Sequence, residues 1–130
     1  MNDRGLLLAR LFLGVPFAIW GALKLAGGAV GLAGGLAHMG LPAPLFLAYL
    51  IGLFEFLGGI AVVIGFPIRL SGVVLALWCV ATGILIHGGD LTQLFKNLVM
   101  AGGFLLLAVS GAGTFALFKG APPRTFGFLR

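Results

Sequence analysis

Four long apolar runs constrain the fold of this chain more than any other feature of its sequence. They cover residues 5–25, 44–65, 68–87 and 94–111, and each is close to the length that a helix needs to cross the hydrocarbon core of a bilayer. In lipid the backbone polar groups must be paired within the segment, and these runs lack the alternation of barrel strands. We therefore predict an all-α polytopic membrane protein, a bundle of four transmembrane helices.

Composition supports the same fold class. Of 130 residues, 61% are hydrophobic and 8% are charged, which leaves too little polar surface for a water-soluble domain. We expect residues 1–130 to form a single membrane domain with a basic tail over residues 112–130. The first run is long and carries Arg10, so we interpret it as a retained helix and not a signal peptide.

The glycine-rich connection over residues 27–44 is too short and too broken by glycine to be a fifth span. We predict a short helix that lies at the outer interface and ends near Gly40 and Pro42. His38 would lie there, near the mouth of the bundle. A solvated interfacial histidine is the simpler interpretation of that residue.

The placement of the basic residues predicts the orientation. With an even number of spans, the amino terminus, the second loop and the tail lie on one side, which carries Arg4, Arg69, Lys119, Arg124 and Arg130. By the positive-inside rule that side is cytoplasmic, so we expect a multi-pass protein of the bacterial inner membrane with both termini in the cytoplasm. The eight Lys and Arg residues form no basic run, which argues against nucleic acid as a partner.

Glu55 is the only acidic residue within any of the apolar runs. A helix over residues 44–65 would be about 33 Å long and would place Glu55 near the bilayer midplane. A carboxylate there costs about 2.5–3.5 kcal/mol or more, so the fold must supply a cation, a water-filled cavity or a proton.

The depth of Arg10 in the membrane suggests that it is the cation that pairs with Glu55. Arg10, Gly14, Phe17, Gly21 and Lys24 form one stripe on the first helix, which must face the bundle. Counted from the cytoplasmic ends of two antiparallel helices, the levels of Arg10 and Glu55 differ by about 7 Å, which an extended arginine can span. We predict an Arg10–Glu55 ion pair. The pair either fixes helix register alone or forms part of a ligand or proton site.

A second polar group is predicted at the opposite, outer end of the bundle, and we call it the outer mouth. Its ligand-binding candidates are Lys24, His87, Lys96 and Asn97. Such a cluster suits an anionic or quinone-like ligand, or the acidic surface of a partner protein. Snorkelling of the lysine side chains towards the lipid head groups is the alternative explanation for Lys24 and Lys96.

Common catalytic motifs are absent. The sequence contains no P-loop, dinucleotide-binding, HExxH, CxxC or GxSxG motif, so nucleotide use and hydrolase chemistry have no support. Cys79 is the only cysteine, which excludes an internal disulfide. We predict no metal site, and two histidines are too weak a signal to predict a haem.

Three segments resemble the DoxX family of small four-helix membrane proteins. They are RLFLGVPFAIWGALKL, GLPAPLFLAYLIGLFEFLGGIAVVIGFPIRLSG and IHGGDLTQLFKNLVMAGGFLLLAVSGAG. The most specific marks are the R-x-x-x-G-x-x-F-x-x-x-G-x-x-K pattern of the first helix and E-x-x-G-G followed by G-x-x-x-R. The resemblance implies that the polar positions which the family tends to keep are here Arg10, Lys24, Glu55, Arg69, His87 and Lys96.

The same resemblance implies a function. The family is associated with a terminal quinol oxidase and with thiosulfate:quinone chemistry, which favours a redox-associated accessory subunit or a quinone-interacting subunit, with Glu55 as a proton relay. This interpretation implies quinone as the cofactor. It implies two partners, the lipid bilayer and a redox protein. Two other classes remain open: a small proton-coupled transporter, and a membrane scaffold without its own ligand. No catalytic residue identifies the chain as an enzyme.

Overall fold

The computed structural model describes residues 3–86 and 89–113, and every regular element in this part of the chain is helical. The helices are α1 (Asp3–Leu23), α2 (Ala29–His38), α3 (Pro44–Ile64), α4 (Ile68–Leu85) and α5 (Leu91–Ser110), and a π-helical segment, Lys24–Gly28, joins α1 to α2. Four of the helical segments are long and apolar enough to cross a membrane: Asp3–His38, Pro44–Ile64, Ile68–Leu85 and Leu91–Ser110. The predicted four-helix membrane fold is confirmed.

The short helix between α1 and α3 is α2, and it departs from the direction of α1 at Gly27. This glycine has φ 141°, a backbone conformation that side-chain-bearing residues rarely adopt, so the helical path bends there. Leu36 and Ala29 of α2 are buried against Ala48 of α3. The glycine-rich connection thus forms a short helix that packs back on α3.

Glycines set the contact between α1 and α3. A Cβ atom added to Gly14 would lie 2.7 Å from the carbonyl oxygen of Gly59, and one added to Gly21 would lie 2.2 Å from the backbone nitrogen of Phe56. The two backbones therefore touch directly, with α1 antiparallel to α3, as small residues at membrane helix interfaces allow. The extensive contact between these helices forms one half of the bundle.

The second half is the antiparallel pair α4 and α5. Gly72 of α4 packs against the backbone of Phe104, and Cys79 is fully buried between small and apolar residues. Phe104 also meets Phe17 of α1 edge to face, with ring centroids 5.0 Å apart, and Phe54 meets Trp78 in the same way at 5.2 Å. These aromatic contacts join the two halves, whose direct contacts are otherwise sparse.

Polar side chains close the ends of α5. Asp90 accepts hydrogen bonds from the backbone nitrogens of Thr92 and Gln93 at 3.1 and 3.3 Å, so α5 begins at Leu91, one turn earlier than the predicted boundary at residue 94. Arg69 donates to the carbonyl oxygens of Ala108 and Val109, each at 3.2 Å. Arg69 thereby satisfies backbone acceptors that the helix leaves open.

The outward faces of the four spans are apolar. Phe12 and Val99 expose 76% and 75% of their surface, and large aliphatic side chains follow on every span. Because exposed large apolar side chains occur on every span, this surface suits contact with lipid acyl chains and not with water.

The glycine contact between α1 and α3 generates a test of stability. We expect Gly21→Ala to destabilise the protein by about 1–3 kcal/mol, because its Cβ would overlap the backbone of Phe56. Gly102→Ala is the matched control, since Gly102 lies within α5 with nothing within 4 Å of the added Cβ. The control should be neutral or stabilising by about 0.5–1 kcal/mol. Denaturant unfolding in detergent measures both, and equal stability of the two variants would contradict direct backbone contact.

Candidate functional site

Glu55 lies at the middle of α3 and is 7% exposed. Its carboxylate forms an ion pair with the ammonium group of Lys24, and the indole Nε1 of Trp78 donates to its other oxygen at 3.2 Å. Both carboxylate oxygens are therefore bonded, which offsets the cost of placing the charge inside the bundle. We call Lys24, Glu55 and Trp78 the polar centre.

Three different elements bring these side chains together. Lys24 is the first residue of the π-helical segment, where the extra residue of the wider turn redirects side chains, and such segments are frequent at functional sites. Gly52 makes room for its stem, because a Cβ there would lie 2.9 Å from the Cβ of Lys24. Trp78 reaches Glu55 from α4, so the polar centre also ties the two halves of the bundle together.

The prediction that Arg10 pairs with Glu55 was wrong, because Glu55 pairs with Lys24. Gly14 packs against Gly59 and Val63, and this register places Arg10, one turn before Gly14, beside the end of α3. Arg10 lies about 21 Å along α1 from Lys24, the residue that contacts Glu55. The arginine side chain is too short to reach Glu55 from there. The depth argument failed because it aligned the two helices by the ends of their apolar runs, whereas the glycine contacts fix their true offset. Arg10 is itself buried, at 1% exposure.

The polar centre faces a partly open cavity of about 360 Å³ between the bundle helices and α2. Its wall combines the ion pair with aromatic and aliphatic side chains and with the polar residues of α4 and α5. The lining residues are Phe17, Trp20, Lys24, Leu32, Ile51, Glu55, Trp78, Thr82, Ile86, Gln93, Asn97 and Met100. Such a mixture of apolar wall and a few convergent polar groups is typical of small-molecule sites.

Across the cavity, Asn97 is held in place by neighbours in α4 and α5. Its Nδ2 donates to the carbonyl oxygen of Gln93 at 2.9 Å, and its Oδ1 lies 3.1 Å from the hydroxyl of Thr82. No hydrogen bond to another described residue occupies the side-chain amide of Gln93. Gln93 is therefore the group on this wall that is best placed to bond a ligand.

Two of the predicted outer-mouth residues, Lys24 and Asn97, line the cavity. Lys96 is exposed and does not line the cavity, and His38 is exposed at the end of α2. His87 lies outside the described residues. The ligand-binding roles of Lys96 and His87 stay predictions.

Sequence reasoning missed Trp78, Thr82 and Gln93. The four-residue spacing of Trp78, Thr82 and Ile86 marks one face of α4, and this face lines the cavity. The small residues Gly72 and Gly83 lie on a different face of α4, which packs on α5. The four-residue spacing of the polar side chains Trp78 and Thr82 was the signal that could have identified the cavity wall.

The chemistry of the cavity favours a neutral ligand that carries hydrogen-bonding groups. The Lys24–Glu55 pair has no net charge, so a cation or anion would have to displace one member of the pair from the other. Lys24 and Gln93 offer donors, and Glu55 offers an acceptor. Within the described part of the chain there is no group of three His, Cys, Asp or Glu side chains that could hold a metal ion.

The ion pair generates a second prediction. We expect Lys24→Met to destabilise the protein by about 1–3 kcal/mol, because Glu55 would lose its cation while remaining buried. The double variant with Glu55→Gln should recover most of this loss, since it leaves no unpaired charge. Lys96→Met, which removes an exposed lysine at the same end of the bundle, is the matched control. Unfolding in detergent would show additive effects of the two changes if the pair did not exist.

The part of the chain that resembles known proteins includes the polar centre. The DoxX family model matches residues 5–88, which include Lys24, Glu55 and Trp78. The chain is 34% identical over 122 residues to the inner membrane protein YqjF of Escherichia coli strain K12, covering 90% of this chain and 92% of that protein. It is 30% identical over 122 residues to the inner membrane protein YphA of the same strain, covering 86% of each.

No solved structure is significantly similar to this chain. The family match covers well over half of the chain and contains the polar centre, and the two relatives align over most of their own lengths. The chain therefore belongs to the DoxX family of membrane proteins.

Proposed function

We propose that this protein binds the head group of a membrane quinone in the cavity beside the polar centre, as an accessory or quinone-interacting component of a redox system. The single observation that carries the proposal is the Lys24–Glu55 pair, bonded to Trp78 and facing a largely apolar cavity. A quinone has the matching chemistry, because it is neutral, planar and bears two carbonyl oxygens that accept hydrogen bonds.

Each side of the cavity has a part in this interaction. Lys24 and the amide of Gln93 donate to the carbonyl oxygens of the head group, and Phe17, Trp20 and Trp78 provide aromatic surface for its ring. Glu55 is placed to accept a hydrogen bond or a proton from a hydroxyl of the reduced form. Trp78 keeps the carboxylate oriented during that exchange.

The arrangement argues against the alternative of a proton-coupled exporter of cations. Such a transporter binds its cation at the carboxylate, where Lys24 already supplies the positive charge. A positive substrate entering the cavity would also meet the ammonium group of Lys24. A scaffold without its own ligand is the remaining rival, and the experiment below separates it from the proposal.

Location and orientation complete the proposed function. The two relatives are named as inner membrane proteins, and we place this chain in the same membrane. Gly113 packs against Asp3, and Gly111 lies near the guanidinium of Arg69, so the start of α1, the start of α4 and the end of α5 share one end of the bundle. By the positive-inside rule this end, which carries Arg4 and Arg69, is cytoplasmic.

Mass spectrometry of small molecules that copurify in mild detergent tests the proposal. We expect wild type and the control Lys96→Met to carry quinone, and Glu55→Gln to carry about ten-fold less or none, because a hydrogen bond to a charged group is lost. Gln93→Leu should also reduce the bound quinone. Ordinary lipid alone in every sample would support the scaffold, and equal quinone in Glu55→Gln would remove Glu55 from the site.

Orientation is tested separately with reporter fusions. Green fluorescent protein fused after Arg130 should fluoresce, and alkaline phosphatase at the same position should be inactive, because we place that end in the cytoplasm. Insertion of the phosphatase in the turn between α2 and α3, at Gly40, should give the reverse result. An active phosphatase at the carboxyl terminus would invert the proposed topology.

A further inference from the structure

The geometry points to a second part of the ligand site, an apolar groove that holds the hydrocarbon chain of the molecule whose head group lies at the polar centre. This inference rests on the proposed function, and it specifies that the ligand enters from the bilayer as an amphiphile with a long chain. We call this feature the chain groove, and it lies between α2, α3 and α4.

The chain groove has a volume of about 380 Å³, similar to that of the cavity. Leu36 and Met39 form its α2 wall, Leu47 and Leu50 its α3 wall, and Ala81 and Leu85 its α4 wall. None of the described residues that line it is charged. A hydrocarbon chain makes no hydrogen bonds with water and so loses none in this groove, whereas a polar group would lose its hydrogen bonds to water.

Adjacency to the polar cavity indicates the occupant. Four residues line both the cavity and the chain groove, namely Ile51, Trp78, Thr82 and Ile86, so the two spaces adjoin there and the ligand would extend from one into the other. Trp78 stands at the junction, with its indole nitrogen bonded to Glu55 and its ring lining the groove. A polar compartment followed directly by an apolar one matches a head group followed by its chain.

The surroundings of the chain groove indicate how the ligand enters. Leu50 and Leu85 are 50% and 69% exposed, so the groove opens on the side of the bundle that faces the lipid acyl chains. A water-soluble ligand would have no need of this opening. The two compartments together therefore select a membrane-resident amphiphile by both of its ends.

The test uses one quinone head group in two forms, without a chain and with an isoprenoid chain that carries a photoreactive diazirine. On irradiation of the purified full-length protein, the chain-bearing probe should label residues of the groove walls, such as Met39 and Leu50. Ala81→Trp fills the groove from α4, and Leu50→Trp fills it from α3. We expect either variant to reduce groove labelling about ten-fold, because overpacking opposes entry of the chain.

Controls make the experiment specific. Leu77→Trp and Leu53→Trp add the same side chain to α4 and α3 at exposed positions that line neither compartment, and both should label as wild type does. The chainless form should bind Ala81→Trp and wild type equally, because the polar centre is intact.

The outcomes separate this inference from the proposed function. Binding of the chainless head group, together with chain labelling on the outside of the bundle or labelling unchanged in both groove variants, would overturn the chain groove alone. Failure of the chainless head group to bind, with labelling still confined to the groove, would support the groove and overturn the quinone head-group site. If the chainless form does not bind and labelling is scattered, both are wrong.

Discussion

Burial of the Glu55 carboxylate inside a membrane bundle is costly, and the packing around it compensates for that cost. Glu55 is accommodated because Lys24 and Trp78 bond its two oxygens. Lys24 can reach it only because glycines let the backbones of α1 and α3 touch and fix their offset. A larger residue at Gly21 or Gly52 would separate the helices and move the ammonium group away. Small residues at one interface thus determine the electrostatics of the interior.

The polar centre lies between the two helix pairs, beside the cavity. The pairs α1/α3 and α4/α5 each pack closely, while fewer contacts join one pair to the other. Near Glu55, Phe54 of α3 meets Trp78 of α4 edge to face, and Trp78 also donates a hydrogen bond to Glu55. The space that remains is lined by groups from both pairs, so a ligand there would contact both halves of the bundle. Binding in this space would therefore stabilise the assembly of the two halves.

The charged positions that the resemblance to the family singles out have different physical roles here. Lys24 and Glu55 form the polar centre, whereas Arg69 closes the carboxyl end of α5 through two carbonyl oxygens. Lys96 is exposed, and its position near a helix end suits an interaction with lipid head groups. A shared pattern of charged residues therefore does not define one site, because some of these residues stabilise helix ends and others line the cavity.

The amino-acid sequence alone predicts the fold class, the four spans and one carboxylate that is costly in lipid. These follow from residue type and length, since lipid imposes helices of a set length and penalises a lone charge. The packing of the helices establishes that Lys24 and not Arg10 pairs with Glu55, and that Trp78 and Gln93 face the same cavity. Those contacts depend on the offset between helices, which backbone contact at glycines fixes to a fraction of a turn. The ends of apolar runs locate a helix only to within a turn or more, too coarse to choose between two cations on one stripe.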